Sequence, residues 1–203
     1  MISEESKRRS ARKGKGLLPA NPNQWANEHH GLDLRENLGL NEADRLPVKD
    51  AFASLNGDIE VWPSSEVACA HKFSVVLHGL RRMTWSAFAL PCPDGGVVVI
   101  FNETHSKQRR RATLMEEFFH LRLGHPPSTL RLYGDGNAKR TFRSRVEEEA
   151  YGSGAASLVP YKGLNALIAE GSTVDAIATQ FDVSTQLVEF RAKVTKLYRK
   201  LRH

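Results

Sequence analysis

One strongly apolar segment with two glutamates and a histidine inside it constrains the fold of this chain more than any other feature. The segment from Lys107 to Leu123 has no glycine or proline, and Thr104 or Ser106 before it can cap a helix. Gly124, followed by two prolines, ends that helix. Its apolar residues are Ala112, Leu114, Met115, Phe118, Phe119, Leu121 and Leu123. We expect such a helix to be buried, and buried carboxylates are costly unless they are paired or metal-bound.

Glu116, Glu117 and His120 have the spacing of the hydrolytic metal motif H-E-x-x-H, with glutamate in place of the first histidine. Residues four apart lie one helical turn from each other, so Glu116 and His120 can hold the same ion. A carboxylate oxygen is an accepted zinc ligand. Glu117 points about 100° further around the helix. From there it can act as the general base on metal-bound water.

A hydrolytic zinc site needs a third protein ligand, which we expect from a second helix packed against the first. The helix predicted from Arg145 to Leu158 begins with three acidic residues, Glu147, Glu148 and Glu149. We favour Glu147 because Ala150 lies one turn beyond it and leaves room for the close approach of another helix.

Other interpretations of these residues stay open. Acidic runs in helices are usually solvated faces, and E-E-x-x-H alone is a weak string. Glu117 and His120 also form the E-x-x-H pair of carboxylate-bridged di-iron bundles, but those sites need two such pairs. His125, beside a glycine and a proline, is interpreted as a surface histidine, with an auxiliary ligand or an oxyanion donor as alternatives.

The composition is that of an ordinary soluble globular protein, with 40% hydrophobic and 26% charged residues among 203. Basic residues crowd positions 1–16, so we expect residues 1–22 to be a disordered basic tail and linker. No apolar stretch reaches the roughly 20 residues that cross a bilayer, and we identify no secretory signal. Two cysteines are too few for a disulfide scaffold, which favours a reducing cytoplasm.

Two strands and a helical C-terminus complete the predicted organisation. Residues 85–90 and 97–102 are predicted strands joined by a hairpin-like connection. From Thr173 onward, apolar residues mark two helices separated by a short turn, a pattern that resembles a helix-turn-helix; a compact two-helix appendage is the alternative. The basic residues near the end suit phosphate contacts: Arg191, Lys193, Lys196, Arg199 and Lys200.

Together, these segments resemble the ImmA/IrrE family of bacterial metallopeptidases. Residues 111–125 match the family pattern R-x-T-L-x-H-E-x-x-H-x-x-L except at Glu116, and residues 147–150 match E-x-E-A. The resemblance covers about residues 45–165 and implies a small zincin-like α+β domain. It implies Glu116, His120 and Glu147 as metal ligands, with Glu117 as the general base.

The resemblance also implies a class of substrate. Members of the family typically cleave a helix-turn-helix repressor within a stress-response or mobile-element circuit, with the substrate bound as an added strand. That role would fall to an edge strand made of Val97, Val98, Val99, Ile100, Phe101 and Asn102. The predicted domains are a zincin-like metallopeptidase domain over residues 23–165 and a helix-turn-helix-like segment over residues 166–203.

The glutamate at position 116 adds a negative charge to the family's ligand set. It neutralises a divalent ion more fully and should make bound water less acidic. Zn²⁺ is the expected cofactor, and the harder ligands also admit Mn²⁺ or Fe²⁺. We therefore predict a cytoplasmic metal-dependent endopeptidase that cleaves a regulatory protein. The alternative is a catalytically silent, protease-like regulator that binds DNA or a partner protein through its C-terminal helices.

Overall fold

The computed structural model describes residues 22–69, 85–93, 95–126, 130–132, 138–140 and 144–202 of the chain. The predicted basic tail over residues 1–16 lies outside these ranges. The described elements are, in chain order, α1 (Pro22–Asn37), α2 (Val48–Ala53), β1 (Ile59–Pro63), α3 (Ser64–Cys69), β2 (Ala87–Pro91), β3 (Val97–Phe101), α4 (Lys107–Arg122), β4 (Leu130–Leu132), β5 (Ala138–Arg140), α5 (Ser144–Leu158), α6 (Tyr161–Ala169), α7 (Val174–Phe181), α8 (Thr185–Val194) and a 3₁₀ turn (Tyr198–Lys200). None of the described helices is long and apolar enough to cross a membrane.

The chain has an α+β fold that divides into two compact units. The sheet unit spans Leu46–Gly154, and the helical unit combines Met1–Arg45 with Ala155–His203. This division differs from the predicted boundaries at 23–165 and 166–203. The reason is that α1, although far from the C-terminal helices in sequence, belongs to the same unit as they do.

The main sheet of the sheet unit is small and mixed, with the strand order β1-β3-β2. β1 pairs with β3 in parallel, with Ile59 opposite Val97. β2 pairs with β3 in antiparallel fashion, with Ala87 opposite Phe101, as the predicted hairpin requires. The connection between β2 and β3 is tight, and Gly95 within it has a φ of +94° that glycine adopts without strain. The active helix candidate, α4, packs against β2 and β3.

The predicted role of residues 97–102 as a substrate-binding edge strand is wrong. β3 is the central strand, and its backbone is hydrogen-bonded to β1 on one side and to β2 on the other. Asn102, just beyond the strand, is also occupied, since its side-chain amide donates to the carbonyl of Trp85 at 3.2 Å. A substrate strand can add only to a strand whose outer edge is open, so β3 cannot accept one.

The two C-terminal helices of the helical unit form where they were predicted. Thr173 caps α7 and Ser184 caps α8, each by accepting a hydrogen bond from the backbone amide three residues later. Asp182, between the two helices, has a φ of +52° and ends α7 in the left-handed conformation. Lys193, Lys196, Arg199 and Lys200 are exposed.

Arg191 does not belong with these exposed basic residues, and its predicted role in phosphate contacts is wrong. Its side chain is only 2% exposed and forms a buried ion pair with Glu28 of α1. The guanidinium Nε also donates to the carbonyl of Val159 at 2.8 Å. Glu28 in turn accepts a hydrogen bond from the backbone amide of Tyr161 at 2.8 Å. Arg191 therefore ties α1, α6 and α8 together inside the helical unit and cannot reach a phosphate.

Removing one partner of this buried pair should strongly destabilise the protein. We expect Arg191→Met to lower the free energy of unfolding by about 3–5 kcal/mol, because it leaves the Glu28 carboxylate buried without its counter-ion. Urea unfolding of the purified protein measures the change. The double variant Arg191→Met/Glu28→Gln should recover much of the loss, since glutamine can still accept from the Tyr161 amide without a charge. Lys193→Met, at an exposed position on the same helix, is the control and should change stability by about 0.5 kcal/mol or less.

Candidate metal centre

The candidate site is built on α4, whose ends are fixed by local sequence. Ser106 is the N-cap, and its side chain accepts a hydrogen bond from the amide of Arg109 at 3.3 Å. The helix then presents one apolar face to the interior, where Met115, Phe118 and Phe119 are fully buried. Because these residues anchor the helix, the polar residues between them are held in fixed positions.

The second helix of the site, α5, runs antiparallel to α4 at close range. A Cβ added at Gly154 would lie 3.0 Å from the backbone carbonyl carbon of Met115, so the two backbones nearly touch there. Two turns earlier on α5, Glu147 reaches the His120 side chain. Ala150, between them, is fully buried, which agrees with the space that a small residue was expected to leave. Small residues at 150 and 154 therefore allow the approach that brings the two sets of polar side chains together.

Glu116, His120 and Glu147 form a group whose ligand atoms all lie within 4.8 Å of one another. His120 Nε2 lies 3.4 Å from Glu147 Oε2, and the two side chains are only 12% and 10% exposed. A tetrahedral ion with bonds of about 2.1 Å has ligand atoms about 3.4 Å apart, so this pair already has the right separation. Two carboxylates and one imidazole are donors that Zn²⁺, Mn²⁺ and Fe²⁺ accept. The residues present therefore fit a divalent cation.

The burial of the three consecutive glutamates of α5 distinguishes their roles. Glu147 is buried, Glu148 is exposed and Glu149 is half-buried. This follows from the helical period, because only one of three successive residues can face α4. The structure thus places at the site the glutamate that the position of Ala150 favoured. Glu117, adjacent to Glu116 on α4, is also buried, with 5% exposure.

His125 is not the surface histidine that its neighbours in the sequence suggested. Its side chain is only 9% exposed. Its Nδ1 lies 3.1 Å from Nδ1 of His120, on the opposite edge of that ring from Glu147. Its Nε2 lies 3.3 Å from Glu149 Oε2. His125 is therefore behind the ligand group and does not belong to it.

Tyr151, one turn after Glu147 on α5, is a neighbour of the site that sequence reasoning did not place there. Burial raises the pKa of its phenol, and the negative charge of Glu116 raises that pKa further. The phenol is therefore neutral near neutral pH and can act as a hydrogen-bond donor beside the carboxylate group of the site. The involvement of Glu149 through His125 was likewise missed, because nothing in the local sequence relates those two positions.

The comparisons with known proteins agree with this geometry. Residues 69–193 match a protein family described as the IrrE N-terminal-like domain, peptidase family M78. The matched region contains α4, α5 and all of the residues of the candidate centre. No curated protein and no solved structure matches the chain.

Proposed function

Because the chain belongs to the IrrE N-terminal-like family of peptidases, we propose that it is a metal-dependent endopeptidase whose centre is Glu116, His120 and Glu147. The observation that carries this proposal is the convergence of these three side chains from two helices. A carboxylate next to an imidazole and a second carboxylate would repel each other in a buried place without a cation. The family itself implies a metal. We propose Zn²⁺, with Mn²⁺ or Fe²⁺ as alternatives.

The chemistry assigns separate tasks to the residues of α4 and α5. A divalent cation at this position would polarise the scissile carbonyl and make water more acidic. Glu117 is the proposed general base, since it is buried beside the ligands and is one residue removed from Glu116. It would take a proton from the attacking water as the C–O bond forms, and deliver it to the amine nitrogen as the C–N bond breaks. The products are a free carboxylate and a free amine.

We propose β2 in place of β3 as the strand that binds the substrate. Among the described strands of the main sheet, β1 and β2 are the outer ones. α4 packs against β2, whereas β1 packs against α3. An extended peptide added to the outer edge of β2 would therefore lie on the side of the sheet strand nearer the metal helix. The proposed substrate is a regulatory protein, such as a helix-turn-helix repressor, with a segment that can become extended.

Loss of the ligand from α5 tests the metal centre directly. We expect the purified wild-type protein to bind about one divalent ion per chain, and Glu147→Ala to lose most of it, because two protein ligands rarely hold such an ion. Elemental analysis of the dialysed protein gives the stoichiometry. Glu148→Ala is the matched control, since it removes an exposed glutamate from the neighbouring position of the same helix and should keep the ion.

A non-catalytic regulator remains the second candidate, and it is supported by the exposure of Lys193, Lys196, Arg199 and Lys200. Exposed basic residues after a capped helix pair suit contacts with DNA phosphates. The two candidates differ in the same experiment. A wild-type protein without stoichiometric metal would favour the regulator and would contradict the peptidase.

A further inference from the structure

The carboxyl end of α4 turns the chain back over the metal helix. Gly124 has a φ of +64°, in the left-handed region that favours glycine. The amide of Gly124 donates to the carbonyl of Leu121 at 3.1 Å, and the amide of His125 donates to that of His120 at 2.9 Å. This pair of bonds is a Schellman motif, which brings the residue after the glycine against the helix residue five positions earlier. His125 is thereby placed against His120.

The contact across such a motif is commonly apolar, but here it joins two imidazoles. The rings of His120 and His125 are T-shaped, with centroids 5.1 Å apart and the two Nδ1 atoms 3.1 Å apart. On its other edge, His125 Nε2 faces Glu149 Oε2 at 3.3 Å. One carboxylate and two imidazoles therefore form a continuous chain of polar contacts that ends at a candidate metal ligand.

The directions of the hydrogen bonds in this chain follow from the carboxylate. An ionised Glu149 can only accept, so the ring proton of a neutral His125 lies on Nε2. The Nδ1 atom of His125 is then an acceptor, and it takes the proton of His120 Nδ1. The lone pair of His120 is consequently on Nε2, the atom that lies 3.4 Å from Glu147 in the ligand group.

We propose that His125 and Glu149 are positioning residues that fix the tautomer and the ring orientation of His120 for binding a divalent cation through Nε2. This inference rests on the proposed metal centre and deepens it. Histidine ligands are commonly oriented by a carboxylate that accepts their second N–H. In this protein the carboxylate acts through an intervening imidazole, and the left-handed Gly124 places that imidazole.

Zn²⁺ binding to variants of His125 tests the proposal. In His125→Phe a ring of similar shape remains but offers no acceptor, whereas in His125→Gln a carbonyl oxygen can still accept from His120. We expect His125→Phe to weaken Zn²⁺ binding about 10–100-fold, the range found when the partner of a ligating histidine is lost. His125→Gln should recover part of that loss. Competition between the full-length protein and a chromophoric chelator gives the affinities.

A nuclear magnetic resonance signal distinguishes positioning from general support of the fold. In the Zn²⁺-loaded protein, the Nδ1 proton of His120 should be bonded to His125 and protected from exchange with water. This ring-proton signal should persist in His125→Gln and disappear in His125→Phe. A role in packing alone predicts the same signal in both variants.

Gly39 provides a matched control for the turn. It has a φ of +65°, and at the end of α1 its amide and that of Leu40 make the same pair of bonds as those at Gly124 and His125. At either glycine an added Cβ would meet no atom within 4 Å. Gly124→Ala and Gly39→Ala therefore carry the same backbone strain. We expect only Gly124→Ala to weaken Zn²⁺ binding, by several-fold, because only that turn holds His125.

The outcomes separate this inference from the function on which it rests. If the wild type binds Zn²⁺ and His125→Phe binds it as tightly, the positioning role is overturned while the metal centre stands. If Gly39→Ala weakens binding as much as Gly124→Ala, the effect belongs to overall stability and the positioning role is again overturned. If the wild type binds no Zn²⁺, Mn²⁺ or Fe²⁺, the proposed function itself fails.

Discussion

Replacing Glu117 by glutamine is expected to leave cation binding intact and to lower peptide hydrolysis by about 10²–10⁴-fold, the usual contribution of a general base. Glutamine has nearly the same shape as glutamate, so the buried side chain should keep its place between Glu116 and Phe118. It cannot accept a proton from water at neutral pH, however. The loss should therefore appear in the rate of the chemical step and leave the metal content unchanged.

The experiment compares wild type and Glu117→Gln on a mixed peptide library, with cleavage read by mass spectrometry and metal content measured on the same samples. Glu148→Gln is the control, because it makes the same chemical change at an exposed position. Equal cleavage by Glu117→Gln and the wild type would remove Glu117 from the mechanism. A wild type that binds the cation but cleaves no peptide would instead favour the regulator.

Restoring the family's histidine at position 116 should have the second large effect. Glu116→His removes one negative charge from the ligand group, so water at the site should become more acidic. We expect the acid limb of the pH–rate profile to move down by about 1–2 pH units, the order of shift that one nearby charge produces. Below that limb, each unit corresponds to about a tenfold higher rate.

The same substitution should also change which metal is preferred. Two carboxylates suit hard cations, whereas two imidazoles favour Zn²⁺. Competition between Mn²⁺ and Zn²⁺ should therefore show a smaller preference for Zn²⁺ in the wild type than in Glu116→His. Glu116→Ala is the necessary control, since it removes the charge and the ligand together and should lose the ion. An unchanged pH profile and an unchanged metal preference in Glu116→His would mean that Glu116 is not a ligand.

The parts of the site that lie within one helix were predictable from the sequence. The spacing of Glu116 and His120 fixes both on one face of α4, and the helical period selects a single glutamate from residues 147–149. Ala150 supplied the signal that this face approaches another helix. These inferences depend only on helical geometry, which a sequence of good helix formers specifies well.

The position of β3 within the sheet was misjudged, although its own sequence contained the correct signal. Val98, Val99 and Ile100 are consecutive and are all buried in the structure. A continuous apolar run is typical of a strand covered on both faces, whereas an exposed edge strand usually alternates or carries a charge. The edge assignment came from the resemblance to a family and overrode this pattern.

Arg191 and His125 show what local sequence cannot specify. Arg191 was grouped with other basic residues near the C-terminus, but its partner, Glu28, is 163 positions away in the chain. His125 follows a glycine and precedes a proline, which indicated an exposed turn. The Schellman motif does form a turn there, yet the left-handed residue directs the next side chain inward instead of outward.

The two helices that supply the ligands are separated in the chain by β4 and β5, so an unfolded chain cannot present all three donors at once. A cation that recognises only the assembled trio adds its binding free energy to the folded state, about 2.7 kcal/mol when its concentration is a hundred times the dissociation constant. The supply of metal in the cell would then set the lifetime of this protein as well as its activity. Metal starvation would remove the protein through turnover, without any separate inhibitor.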